Sequence, residues 1–231
     1  MLNEARPQIE SFQKKVLSLN KRIMELIAIA LELPMDQFTS CHSFEKENFD
    51  NLDLMHYPPV YGSQHEDDKF SKYRISPHTD WGSATFLFQQ DVSGLEVRPP
   101  KYTSPSLSLE TEKWTAAPAR NDMILVNIGD MLEFWTAGLL KSTWHRVVPN
   151  TQLQGNMGAV DRYAIAYFVH PDQDTVLRPL EQMAREGWIP RYKGFGRTAA
   201  QHIAARISGE DRIPPASPNV ERTANPVQLT A

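Results

Sequence analysis

Between residues 84 and 169 the apolar residues come in short runs, at 84–88, 95–97, 123–128, 131–135, 144–148 and 163–169, with Gly, Pro, Asn or Asp between them. This spacing favours a β-sandwich or barrel over repeated βαβ units. Just upstream, Leu52, Leu54 and His56 share one strand parity and Asp53, Met55 and Tyr57 the other, until Pro58-Pro59 ends the run. One long periodic stretch precedes the strands. Ile9, Phe12, Val16, Leu19, Ile23, Leu26, Ala30 and Leu33 recur at alternating steps of three and four, which predicts a helix over about 8–33 with this stripe on the core and Pro34 as its stop. A partner-binding coiled-coil strand is the other reading of that stripe. Residues 61–72 and 99–112 read as surface loops. Helical character returns over 179–208, with Ile203, Ala204 and Ile207 at helical spacing. The Pro-, Asn- and Thr-rich stretch 214–231 predicts a loosely held tail. The expectation is a mainly β fold with flanking α-helices, one domain over 1–213 with its β core at about 50–172.

A chain of 231 residues can bury a sizeable core. Its formal charge is −4 with a pI near 6.0, and Lys and Arg are scattered, so neither a nucleic-acid groove nor a polybasic membrane patch is indicated. The single cysteine, Cys41, excludes an intrachain disulfide framework and a cysteine-ligated zinc finger, and fits a reducing, cytoplasmic setting. No stretch approaches the apolar length that spans a bilayer, and Met1–Pro7 lacks a basic region leading into an apolar signal core. A small-molecule substrate is the expected partner.

Chemistry concentrates in three words: Pro77-His78-Thr79-Asp80-Trp81-Gly82, Ser142-Thr143-Trp144-His145-Arg146-Val147, and Arg162-Tyr163-Ala164. On a strand, His78 and Asp80 would leave the same face. His145 lies far along the chain, so only a strand returning beside the first could bring it to them. Two imidazoles and a carboxylate match the open facial site of non-haem Fe(II) oxygenases. A second His-x-Asp, His65-Glu66-Asp67, sits among solvent-type residues, whereas 78/80 leads into the core-like Ala84-Thr85-Phe86-Leu87-Phe88. Arg162 can grip a carboxylate bidentately or serve as a surface ion-pair partner. Tyr57 can be a half-buried strand aromatic. Asn127-Ile128-Gly129-Asp130 reads as turn and scaffold. Trp81, Phe86, Phe88, Phe134 and Trp135 are core residues by default, with an apolar pocket wall as the alternative.

From about residue 9 to residue 207 the chain resembles the isopenicillin N synthase-like group of Fe(II)/2-oxoglutarate-dependent oxygenases. The resemblance is carried by His78-Thr79-Asp80, Gln89-Gln90-Asp91-Val92-Ser93-Gly94-Leu95-Glu96, Val126-Asn127-Ile128-Gly129-Asp130-Met131-Leu132, Ser142–Val147 and Arg162-Tyr163. It implies a distorted double-stranded β-helix, or jelly roll. It also implies His78, Asp80 and His145 as iron ligands, Arg162 on the distal carboxylate of 2-oxoglutarate, and Tyr57 at the other end of that cosubstrate. The implied reaction is oxidation of a small organic metabolite by O2, as hydroxylation, desaturation or cyclisation.

Four features depart from the family pattern. Ala164 stands where a serine usually follows the arginine, removing a donor worth about 1.5–3 kcal/mol. Met55 stands where an asparagine is common. The chain also starts late relative to the family's N-terminal region, which would leave either a wider pocket or a sheet edge to be covered by a second copy or a partner subunit. The interval from His145 to Arg162 is longer than is common in plant relatives, which points to an enlarged loop at Thr151–Val160. Two alternatives follow: an iron oxidase of the same fold that takes no 2-oxoglutarate, and a non-catalytic subunit of a related oxygenase. Zinc hydrolysis is weaker, since no poised carboxylate base is evident.

Overall fold

In the computed structural model the described residues are 2–43, 49–59, 73–98, 113–120, 122–149, 160–184, 188 and 196–210. Two four-stranded antiparallel sheets form a jelly-roll sandwich that does not close into a barrel. The larger has the order β1 (Asn51–Tyr57), β8 (Arg162–Val169), β3 (Ala84–Gln89), β6 (Leu125–Ile128). The smaller has the order β2 (Ile75–His78), β7 (His145–Val147), β4 (Leu95–Val97), β5 (Thr115–Ala116). The neighbours in each sheet are mostly distant in sequence, so the fold is built by long-range pairing.

Helix α1 (Leu2–Ala30) packs on the outer face of the larger sheet. It begins before Pro7, which interrupts only the early ladder. Its buried face is Val16, Asn20, Met24 and Ala28, joined by Phe12, whose ring meets Phe88 edge-on at 4.9 Å. The expected stripe holds in the first half and fails in the second. Leu26 is 59% exposed and Ala30 is also exposed, because a repeat averaging 3.5 drifts by ~20° per heptad around a straight helix. The core beneath is Ala84, Phe86, Tyr167 and Val169 with Met131, Leu132, Phe134 and Trp135. Phe86, Phe134 and Trp135 are therefore core residues, and Phe88 packs against that core.

The run 131–135 is a helix, not a strand: α2 (Asp130–Trp135) has all six residues buried. Burial on every side erases the amphipathic period that would have betrayed it. In α3 (Ala199–Ser208) the buried face is Ala199, His202 and Ala205, while Ala204 and Ile207 face solvent. A capping box between Thr198 and Gln201 starts α3, and Gly209, at φ 76°, ends it in the left-handed conformation. The loops 61–72 and 99–112, His65 and Asp67 among them, and the tail 214–231 lie outside the described residues, as does nearly all of 151–160. No helix among the described residues is long and apolar enough to cross a membrane.

Candidate functional site

The inward faces of both sheets enclose one cavity. The larger sheet lines it with Met55 and Tyr57, Thr85 and Leu87, Leu125 and Asn127, and Arg162, Ala166 and Phe168. The smaller sheet contributes Ile75, His78, Leu95, Val97, His145 and Val147. The walls are mostly apolar, and the polar groups gather at two places.

At the first, β7 returns antiparallel beside β2 and sets His145 directly opposite His78. The ladder between them is irregular from Ile75 to His78. Strand β2 ends at His78, so Asp80 joins by a turn and not by strand parity. That turn is fixed by α2, where the Asp130 amide donates to the Asp80 carbonyl at 2.8 Å and the Met131 amide to the Gly82 carbonyl at 3.0 Å. The seam is tight: a Cβ on Gly82 would run into the Val169 carbonyl, and one on Gly129 into the Gly82 carbonyl.

One ligand atom from each of His78, Asp80 and His145 lies within 4.8 Å of the others, and these three could hold a metal ion. Asp80 Oδ1 is 3.8 Å from His78 Nε2 and 3.5 Å from His145 Nε2. The remaining polar atoms of the three side chains are engaged. His78 Nδ1 donates to the Ser76 carbonyl at 2.8 Å and His145 Nδ1 to the Thr143 carbonyl at 3.1 Å. Carbonyls only accept, so these bonds put the proton on Nδ1 and leave the Nε2 lone pair free to coordinate. Asp80 Oδ2 accepts from Thr85 Oγ1 at 2.6 Å and Asn127 Nδ2 at 2.7 Å, which turns Oδ1 toward the imidazoles.

The electrostatics suit a cation. Burial alone would raise the Asp80 pKa, but a protonated His145 beside it, together with the hydrogen bonds from Thr85 and Asn127, outweighs burial and holds the carboxyl at about 2. Burial and the neighbouring His145 push His78 down, toward the neutral, ligating form. His145 is also opposed by burial, yet Asp80 wins and raises it. A proton on His145 Nε2 thus competes with a metal for the same atom.

Strand β7 is braced from its other face. Arg146 stacks over Trp114 at 4.2 Å and Tyr73 at 5.4 Å while its Nη2 donates to Glu96 Oε2 at 2.6 Å. Arg98 lies over Trp114 and Trp144. Because Trp144 and Arg146 flank His145, this stack holds the register that presents the imidazole inward.

At the second polar place, Arg162 from β8 is 5% exposed, so it is not a surface ion-pair partner. Its Nη2 donates to Gln89 Oε1 at 2.9 Å, and its guanidinium carbon sits 4.8 Å from the centre of the Tyr57 ring. Its Nε and Nη1 are buried with no hydrogen-bond partner. Tyr57 directs its hydroxyl to Met55 Sδ at 3.2 Å. Burial raises its pKa, against the pull of Arg162. Trp81 lies outside the cavity lining, with Arg206 of α3 5.5 Å from its ring centre and 3.8 Å from Asp130.

Sequence reasoning missed Thr85, Gln89 and the true role of Asn127. Asn127 is not turn scaffold: it lies in β6 opposite Thr85, and both reach the same Asp80 oxygen. Their alternation with outward-facing core residues was visible, but their partner was not. In the β3–β8 register Gln89 lies opposite Ala164.

Comparison with known proteins matches this geometry to known oxygenases. The chain is 37% identical over 199 residues to the proline hydroxylase buaE of Petromyces alliaceus, a match covering 86% of this chain and 58% of that one. It is 35% identical over 187 residues to the 2-oxoglutarate-dependent dioxygenase frbA of Dothideomycetidae sp., covering 80% and 51%. The chain thus spans about half the length of the curated relatives it matches. Among solved structures, a full-length Neurospora crassa protein in complex with alpha-KG and thymine superposes with a TM-score of 0.73 at 26% identity, over 89% of this chain and 56% of that one. The family model described as 2OG-Fe(II) oxygenase superfamily matches residues 49–171, a segment that contains both sheets and every polar group lining the cavity. This chain belongs to the 2OG-Fe(II) oxygenase superfamily.

Proposed function

We propose that the chain carries out Fe(II)- and 2-oxoglutarate-dependent oxidation of a small organic metabolite. His78, Asp80 and His145 would hold the iron and Arg162 would receive the distal carboxylate of the cosubstrate, while Tyr57, expected at the other end of the cosubstrate, packs its ring against the Arg162 guanidinium. One observation carries the reading. A single cavity has three converging donor atoms with their other polar atoms engaged, and elsewhere a buried arginine with two nitrogens lacking any acceptor. The first would take a cation, the second an anion. A 2-oxo diacid bound through its oxo-acid end to iron supplies that anion. Bound together, Fe(II) and 2-oxoglutarate supply an oxidant from O2 that attacks a substrate C–H bond, with succinate and CO2 as the coproducts.

The chain's own residues orient and protect. The Ser76 and Thr143 carbonyls keep both imidazoles in the coordinating tautomer. Thr85 and Asn127 hold Asp80 Oδ2, so Oδ1 is the oxygen that would coordinate the metal. Leu87, Leu95, Leu125 and Val147 line the cavity with apolar side chains that would limit water around the reacting groups. The proline in the name of one relative and the thymine bound by another support a metabolite-sized substrate here.

The expected result is one Fe(II) per chain and succinate formed in step with substrate oxidation, both lost in H145A. Substrate oxidation with no succinate would move the assignment to the 2-oxoglutarate-independent oxidase, and no Fe(II) uptake would move it to the non-catalytic subunit. We assign the domain to residues 1–213 and the setting to the cytoplasm, where a reducing environment keeps iron ferrous. The β1 edge, with Leu54 66% exposed, is the surface we assign to a second copy or partner subunit. A solution mass at working concentration equal to a stable monomer would overturn that last assignment.

A further inference from the structure

Ala164 follows Arg162 on the inward face of β8 and offers no hydroxyl, so the carboxylate end needs its second polar group from elsewhere. Two residues lie opposite it in register. Met55 on β1 is apolar and already accepts the Tyr57 hydroxyl. Gln89 on β3 is the other. Thr85, Leu87 and Gln89 alternate onto one strand face, and the first two line the cavity. Gln89 Oε1 accepts from Arg162 Nη2 at 2.9 Å. Because a guanidinium has donors only, that bond also fixes the amide orientation, with Nε2 as the free, donating end.

We propose that Gln89 is the positioning residue of the cosubstrate's distal carboxylate. Its oxygen locks the rotation of Arg162, and its NH2 adds the donor that Ala164 does not provide. The inference rests on the 2-oxoglutarate reading above. An arginine tethered at one nitrogen keeps four of its five N–H donors and loses its freedom to swing, so less order is lost when the carboxylate arrives. Gln89 should therefore matter for 2-oxo diacids and be irrelevant to 2-oxo acids that end in a methyl group.

The test is an anaerobic titration of the Fe(II)-loaded chain with 2-oxoglutarate and with 2-oxopentanoate, reading the visible charge-transfer band that chelation at iron produces. The wild-type protein should prefer the diacid. Q89L should weaken 2-oxoglutarate by about tenfold, the scale of one charge-assisted hydrogen bond, and leave 2-oxopentanoate unchanged. Q89E should weaken the diacid further, because a carboxylate there neutralises Arg162. The unaltered 2-oxopentanoate titration guards against misfolding, since a damaged site would lose both ligands. Undiminished diacid affinity in Q89L, or equal loss of both ligands in Q89L and Q89E, would overturn the role of Gln89. A wild-type protein that binds Fe(II) but gives no band with either 2-oxo acid would overturn the cosubstrate reading and this inference together.

Discussion

The two polar places in the cavity are built on opposite plans. Around Asp80 the second atom of each side chain has a partner: two backbone carbonyls, one hydroxyl and one amide hold the three donors still. Around Arg162 one hydrogen bond and one aromatic face do the holding, and two buried nitrogens have no acceptor. A metal ion demands a fixed geometry before it binds, so the residues behind its ligands must be complete in advance. A flexible dicarboxylate, the ligand proposed for Arg162, would bring its own acceptors, so such a site would be completed only on binding. Buried, unmatched donors cost about 1–3 kcal/mol each, and that cost is relieved only by a ligand of the right charge.

The largest effect should come from D80A, which removes the only ligand charge and strands Thr85 and Asn127. Fe(II) binding should fall below detection by calorimetry while circular dichroism stays native. Next, R162L should weaken 2-oxoglutarate by about 10- to 100-fold, the range for one or more lost charged hydrogen bonds, with Fe(II) affinity unchanged. If Fe(II) affinity falls as well, the two places are not independent. N127A should cost about 10-fold in Fe(II) affinity by chelator competition, toward the low end for residues behind a metal ligand because Thr85 remains.

Acid should act on the iron end alone. His145 is raised and Asp80 lowered, so as pH falls through the raised His145 value a proton takes Nε2 and metal affinity drops, while Asp80 stays ionised down to about 2. Arg162 keeps its charge throughout. A 2-oxoglutarate affinity of the iron-loaded chain that fell in step with metal affinity would contradict this. The smallest effect should be A164S: if Gln89 already supplies the second donor, the added hydroxyl should tighten 2-oxoglutarate by only about threefold, less than a full charge-assisted bond. A tenfold gain would mean that the carboxylate end lacks a donor.

Much of the fold was legible because it rests on local pattern. The runs at 84–88, 95–97, 144–148 and 163–169 became β3, β4, β7 and β8 with small shifts of boundary. What failed was pattern without contrast or with the wrong period. Six buried residues in α2 show no polar face, and the 3.5-residue stripe of α1 drifts off the core by Leu26. The positions of His78, Asp80 and His145 could be proposed from residue type and flanking sequence. Yet Asp80 reaches the site through a turn pinned by α2, not by the strand parity that suggested it. Thr85, Asn127 and Gln89 depend on cross-strand register, which a single sequence does not print.

The seam at Gly82 and Gly129 has a practical consequence for anyone retooling this scaffold. A side chain at either position would push against the backbone beside Asp80, so diversity introduced there should weaken metal binding. Leu87, Leu95, Val97, Leu125 and Phe168 face the cavity and contribute no hydrogen bond to the three donors. A mutant library aimed at new substrates should be confined to those walls, with residues 80–83 and 127–131 frozen. The chain would then offer a rigid chassis with exchangeable lining.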